Sequence, residues 1–294
     1  MPEVYTNAEL TADTVRREHI RLGVIGNPIA HSKSPQMQQA ALDAHGIPAR
    51  YIRILADTAA GAFEETLRHL DELGFTGANV TVPFKKNAFA AAVKADALST
   101  LCGAANTLVR KEDGWHCHNT DGPGFERAIF ELTHKKLHEL NILILGACGG
   151  AGSALAAQCA LAGCPQLTLV NRPRPQLQEL ADTLAPHAKG SIVTAHFGSG
   201  ELADMLRQTQ LIVNATSLGL KVGDPLPIPP ELLTPQHIVY DIVPHDTPFR
   251  RLATEQGCLT DNGLGMLLWQ GAYAFEHWYG FLPQIAPMRA ALCR

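Results

Sequence analysis

The stretch that most restricts how this chain folds is Asn141 to Gly152. Asn141–Leu145 is an apolar run of strand length, Gly146-Ala147-Cys148-Gly149-Gly150-Ala151-Gly152 interrupts it, and a helix follows to about Ala162. Strand, glycine-rich turn and helix, in that order, make a dinucleotide-binding device. Its glycines let the backbone approach a pyrophosphate at the helix N-terminus. Which glycine makes the approach stays open at this point. The next strand, Leu167–Val170, ends at Asn171-Arg172-Pro173-Arg174. A site for NAD would place Asp or Glu at that strand end, for the ribose 2′-hydroxyl. None is present, and two arginines suit a 2′-phosphate, so the expected cofactor is NADP. Leu211–Asn214 and Ile238–Ile242 read as further strands, and Thr247-Pro248 as a helix start.

Strand and helix also alternate earlier. Ile20–Gly26 reads as a strand, Ser34 as an N-cap with Pro35 opening a helix to about His45, and Tyr51–Leu55 as a strand. A helix with Phe63, Leu67 and Leu70 on one face spans Ala59–Leu73, and Gly74 closes it. Alternation implies a mostly parallel sheet. A hairpin is expected near Asp113-Gly114. With 294 residues, about two domains are expected, burying roughly 75% of the unfolded surface. A net charge of −4 gives no electrostatic footprint for nucleic acid or an anionic membrane. Seven cysteines without a Cys-x-x-Cys pair read as reduced thiols. Residues 1–19 are polar (Glu3, Glu9, Asp13), and no apolar run reaches the ~20 residues of a membrane span, so a soluble cytoplasmic protein is expected. His116, Cys117 and His118 lack a partner motif, and no metal site is expected there.

Asn79-Val80-Thr81-Val82-Pro83-Phe84-Lys85-Lys86 carries the chemistry. Val80 and Val82 alternate with Asn79 and Thr81, which predicts a strand with one apolar and one polar face. Pro83 ends it, and the helix beyond is expected from Ala88 to Val93. Polar side chains and a lysine pair at a strand end describe the mouth of a ligand site, although most such pairs simply decorate a helix start. This stretch resembles the signature of the shikimate dehydrogenase family, in which Lys85 would be catalytic. Six further motifs are similar, in the family's order along the chain: His31-Ser32-Lys33-Ser34-Pro35, Gly103-Ala104-Ala105-Asn106-Thr107, Asn119-Thr120-Asp121-Gly122, the glycine turn, Asn214-Ala215-Thr216-Ser217, and Asn262-Gly263-Leu264-Gly265-Met266 with Gln270.

The resemblance implies two α/β domains with a cleft between them: residues 1–121 plus 263–294 for substrate, and a Rossmann-like domain, 122–262, for NADP. It implies reversible reduction of 3-dehydroshikimate to shikimate. Lys85 and Asp121 would be catalytic, with Asp121 holding the ammonium while accepting from a ring hydroxyl. Ser32 and Ser34 would take the carboxylate, and Thr81, Asn106, Thr120 and Gln270 would complete the substrate site. Gly146, Ala147, Gly149, Gly150, Ala151, Asn171, Arg172, Arg174, Thr216, Ser217, Gly263 and Met266 would hold the cofactor. The partner would be this small molecule, with the chain a monomer or homodimer. The sequence departs from the family pattern in three places. Cys148 lengthens the glycine turn, Gln176 stands where a further basic residue is common, and Val243-Pro244-His245-Asp246 is short and lacks the usual tyrosine. Rival readings are a quinate/shikimate enzyme using NAD, a sensor without catalysis, and a folate-linked dehydrogenase. Asn171-Arg172 argues against the first, Lys85 with Asp121 against the second, and the two-serine loop against the third.

Overall fold

A computed structural model describes residues 4–293. Glu3, counted above among the polar N-terminal residues, lies outside them, as does Arg294. The chain divides into two compact units, Met1–Thr120 with Leu268–Arg294, and Asp121–Leu267.

The strands of the first unit are β1 Ile20–Gly26, β2 Arg50–Leu55, β3 Gly77–Val80, β4 Lys94–Ala95, β5 Thr107–Lys111 and β6 Gly114–His118. They form one sheet in the order β2-β1-β3-β5-β6-β4. β1 pairs parallel with β2 and β3, as helix-linked strands must. β3, β5 and β6 then run antiparallel, with the hairpin closing between Lys111 and Gly114. The helices are α1 Ala12–Arg17, α2 Ser34–Ala44, α3 Ala62–Glu72, α4 Lys85–Ala91 and α5 Ala97–Cys102. Phe63, Leu67 and Leu70 of α3 are buried, packing with Ile25, Ile54, Phe84 and Leu108 into the core.

Three expectations are corrected here. β3 ends at Val80, and Val82 is 66% exposed rather than on an apolar face. Asn79, expected on a polar face, is buried: Tyr51 Oη donates to its Oδ1 (2.8 Å), and its amide donates to Thr107 Oγ1 (3.1 Å). Helix α4 starts at Lys85, three residues before the expected Ala88, because Phe84 N–H already turns back on Thr81 O (2.9 Å).

The second unit holds β7 Ile142–Leu145, β8 Gln166–Asn171, β9 Ser191–His196, β10 Leu211–Asn214, β11 Ile238–Asp241 and β12 Leu259–Asn262. All pair in parallel, in the order β12-β11-β10-β7-β8-β9. Every residue of β7 and β10 is buried, as continuous apolar runs in a parallel sheet require. Its helices are α6 Asp121–Thr133, α7 Gly150–Ala162, α8 Pro175–Leu184, α9 Leu202–Arg207 and α10 Pro248–Glu255. Helix α11, Leu264–Tyr279, begins in this unit and belongs to the first from Leu268; α12, Ile285–Leu292, follows. Met266 N–H donates to Tyr240 Oη (3.1 Å) and keeps the start of α11 on β11.

His118, at the end of β6, stacks on His277 of α11 with ring centroids 3.9 Å apart, and its Nδ1 lies 3.5 Å from Asp96 Oδ2. Burial, then the neighbouring His118, hold the His277 imidazole down at about 4. Its folded pKa lies below the ordinary ~6.5, so the unfolded chain binds more protons between those values. Stability from this pair is therefore full above about pH 6.5 and declines as pH falls toward 4. The His277→Leu variant should show a shallower decline across that window in denaturant titrations; parallel curves would contradict the sign.

Candidate functional site

In the first unit the chain leaves β1 toward β2 and returns to β3 on the other side. The carboxyl ends of β1 and β3 are therefore a topological switch point, where open α/β sheets take ligands. Two loops meet there: Asn27 N–H donates to Val82 O (3.1 Å), and Thr81 N–H to Ile25 O (2.9 Å). The first loop carries Ser32 and Ser34, the second Thr81 and Lys85.

Ser34 is not the N-cap: that position is Lys33, which gives the first turn no side-chain bond. Ser34 is the first residue of α2, buried, and its N–H donates to Ser32 Oγ (3.3 Å), which ties the loop to the helix start. Arg53, which the sequence reading missed, donates to Ser32 O through Nε (3.1 Å) and a terminal amino group (2.7 Å) and fixes the loop from β2. Its signal was faint: an arginine on a strand otherwise rich in buried apolar residues. We expect Ser32→Ala and Ser34→Ala to raise KM for a carboxylate substrate more than they lower kcat, because the loss is equal in ground and transition states. Ser32→Ala also removes the acceptor of the Ser34 N–H and should cost about 0.5–1.5 kcal/mol of stability, whereas Ser34→Ala leaves that bond in place. Steady-state kinetics with thermal unfolding checks both parts.

Lys85 is half-buried at the start of α4, while Lys86 is exposed. The Lys85 carbonyl accepts from Ala105 N–H (2.9 Å), which ties it to the Asn106 segment. Asn106, Thr120 and Gln270 converge as one buried cluster. Asn106 Nδ2 donates to Thr120 Oγ1 (3.0 Å) and Gln270 Oε1 (3.2 Å), and Thr120 N–H donates to Asn106 Oδ1 (2.8 Å). Thr107 Oγ1 joins Thr120 to Asn79 and, through it, Tyr51. Such a network holds hydroxyl-reading groups in fixed orientations.

Asp121 opens α6 in the second unit and is 5% exposed. The sheet order reverses between β7 and β10, and the glycine turn leaves β7 at that point. Gly146 has φ +82°, and a Cβ there would lie 2.9 Å from Thr216 Cγ2. A Cβ on Gly152 would lie 2.3 Å from Gly146 O, so only glycine lets α7 start against the turn. Ala147 is buried beneath it. Gly149 is the N-cap and offers no side chain to the amides of the first turn, Gly150 and Ala151 among them. An uncapped helix start beside a bare backbone fits a pyrophosphate. Cys148 occupies the extra position of the turn without displacing this geometry.

At the end of β8, Asn171 is buried and its Oδ1 accepts from Arg172 N–H (3.0 Å), while Arg172 and Arg174 are exposed. Thr216 N–H and Oγ1 donate to Asn214 Oδ1 (3.2 and 2.6 Å), and Ser217 beyond it is exposed. Buried Asp241 braces this loop: its carboxylate accepts from Asn214 Nδ2 (3.1 Å), Thr247 Oγ1 (2.7 Å) and Val243 N–H (3.1 Å). Burial raises its pKa above the ordinary carboxylate value. In the short 243–246 loop, His245 Nε2 donates to Gly219 O (3.1 Å), so a histidine links the two loops where the family tyrosine is lacking. Gly263 is buried with its N–H on Val243 O (3.2 Å), and Met266 is 7% exposed.

Comparison with known proteins agrees with this geometry. Residues 24–108 match the shikimate dehydrogenase substrate binding domain, and residues 263–293 the shikimate 5′-dehydrogenase C-terminal domain. The shikimate dehydrogenase (NADP(+)) of Rhodospirillum rubrum is 40% identical over 278 residues, covering 92% of this chain and 95% of that one. Shikimate 5-dehydrogenase of Thermus thermophilus, solved with NADP(H) and shikimate, superposes with a TM-score of 0.81 at 33% identity, covering 94% and 99% of the two chains. A quinate dehydrogenase of Corynebacterium glutamicum, solved with NAD, gives a TM-score of 0.83 at 30% identity over 93% and 98%. On the strength of these matches, the chain belongs to the shikimate dehydrogenase family.

Proposed function

We propose that this protein is an NADP-dependent oxidoreductase that interconverts 3-dehydroshikimate and shikimate, in the pathway to the aromatic amino acids. The observation that carries the reading is the first unit's switch point. It brings the two-serine loop beside the Thr81–Lys85 turn, and that turn is tied through Ala105 to the buried Asn106–Thr120–Gln270 cluster. When bound, the cofactor supplies a hydride to a ring ketone or accepts one in the reverse direction. Lys85 donates a proton to the oxygen that becomes the hydroxyl, and Asp121 accepts from a ring hydroxyl. Ser32 and Ser34 take the carboxylate, and Thr81, Asn106, Thr120 and Gln270 take ring hydroxyls. A site that reads hydroxyls through paired buried groups rejects analogues lacking them by several orders of magnitude.

In this reading residues 1–121 with 263–294 serve the substrate and 122–262 the cofactor. Gly146, Ala147, Gly149, Gly150 and Ala151 hold the pyrophosphate, Asn171, Arg172 and Arg174 the 2′-phosphate, and Thr216, Ser217, Gly263 and Met266 the nicotinamide end. We place the protein in the cytoplasm as a monomer or homodimer; no described helix is long and apolar enough to cross a membrane. The deciding experiment assays the purified protein with shikimate and quinate, each against NADP and NAD. Shikimate with NADP should turn over fastest, and quinate with NAD leading would overturn the assignment. The Arg172→Ala variant should lose about 1.5–3 kcal/mol of NADP binding and little of NAD binding. Equal losses with both cofactors would remove Arg172 from the phosphate.

A further inference from the structure

Gln176 leaves the 2′-phosphate reading one cation short of the pattern the family commonly shows, and the fold offers another donor. β8 and β9 pair in parallel with Asn171 opposite His196. Adjacent strands lie about 4.8 Å apart, so His196 ends the strand next to the one that delivers Arg172. Between them a depression of about 410 Å³ opens, lined by Arg174, Gln178, Thr194 and His196 together with the prolines at 173 and 175. Among the described residues, the side chains of Arg172, Arg174 and His196 take no hydrogen-bond or ion-pair partner. Most arginines of the chain do: Arg50, Arg53, Arg110, Arg207, Arg250 and Arg251 are all engaged.

None of the residues lining the depression is acidic, and the amide of Gln178 donates to Asp182 Oδ1 (2.8 Å). Two donors that line this acid-free hollow, Arg174 and His196, thus stand beside the exposed Arg172 that follows β8. From this we infer that His196 is a ligand of the cofactor's 2′-phosphate, completing with Arg172 and Arg174 the cluster that selects NADP. Imidazole carries an N–H in either tautomer and a positive charge when protonated, so it donates to a phosphate oxygen in both states. Thr194, two residues earlier on the same face of β9, supplies a hydroxyl to the same hollow. This inference rests on the NADP reading above.

The test measures binding to the unliganded protein by calorimetry, with adenosine 2′,5′-bisphosphate against adenosine 5′-monophosphate, and NADP against NAD. The His196→Ala variant should weaken the two 2′-phosphorylated ligands by ~5–20-fold and leave the other two within about twofold. His196→Lys should retain most of the affinity for the phosphorylated pair. Because His196 is exposed at a strand end, its unfolding midpoint should match the parent's. A wild-type protein that does not prefer the 2′-phosphorylated ligands would overturn the cofactor reading itself. A wild type that prefers them, with the preference intact in His196→Ala or with all four ligands weakened alike, would overturn only the role of His196.

Discussion

Replacing Lys85 with alanine lowers kcat by about two to four orders of magnitude while NADP still binds, the range expected when a positioned general acid is removed. The neighbouring lysine is the control. Lys86 has the same chemistry but is exposed one position along α4, and Lys86→Ala should leave kcat within about a factor of two, or ~0.4 kcal/mol in the barrier. Lys85→Arg should not restore the rate, because a guanidinium keeps its proton at any working pH. Asp121→Asn preserves shape and removes charge, and it too should lower kcat. If, as proposed, Asp121 holds the Lys85 ammonium, the two act as one unit, and the double variant should lose far less than the sum of the single losses. Rates measured for the five variants at saturating NADP decide the matter. A silent Lys85→Ala with a damaged Lys86→Ala would move the reacting end of the substrate elsewhere.

The second large effect belongs to the turn before α7. Gly152→Ala places a methyl group 2.3 Å from the Gly146 carbonyl oxygen, and neither partner is a flexible side chain that could yield. Overlap of this kind typically costs 1–3 kcal/mol of stability, and relief requires α7 to draw back from the turn that would hold the pyrophosphate. NADP affinity should therefore fall at least ~10-fold, equivalent to about 1.4 kcal/mol. Gly149→Ala separates the two consequences. Its Cβ would come only to 3.3 Å of the same oxygen, at an N-cap with φ −73°, so stability should hold within about 0.5 kcal/mol. Thermal unfolding with and without NADP reads both quantities. An unchanged Gly152→Ala in both would mean that the helix start adjusts more freely than its contacts allow.

What could be read from the chain alone tracks how local the cause is. The glycine turn, the helix-linked parallel strands and the turns that lead to Arg172 and Lys85 all follow from periodicity and punctuation within a dozen residues. Asn79 did not, because alternation assigns a polar residue to the wet face. Its partners, Tyr51 and Thr107, come from strands 28 residues away on either side, and nothing near Asn79 announces them. Ser34 misled for a related reason: the helix begins one residue earlier than the serine-proline pair suggests, so Lys33 takes the cap position and Ser34 lies inside the first turn. Arg53 and His196 act across strand registers, a relation that single-sequence spacing does not express.

The cluster of Asn106, Thr120 and Gln270 has an energetic consequence for ligand choice. Its members already satisfy one another, so a ring hydroxyl that arrives must exchange existing bonds for new ones of similar strength. Little net affinity comes from such an exchange. The wrong ligand fares worse, since it disturbs the cluster and returns nothing. Under the proposed reading, tight binding then comes from the substrate's carboxylate, and fidelity from its ring hydroxyls. Inhibitors that copy the carboxylate alone should bind well and discriminate poorly among relatives of this enzyme.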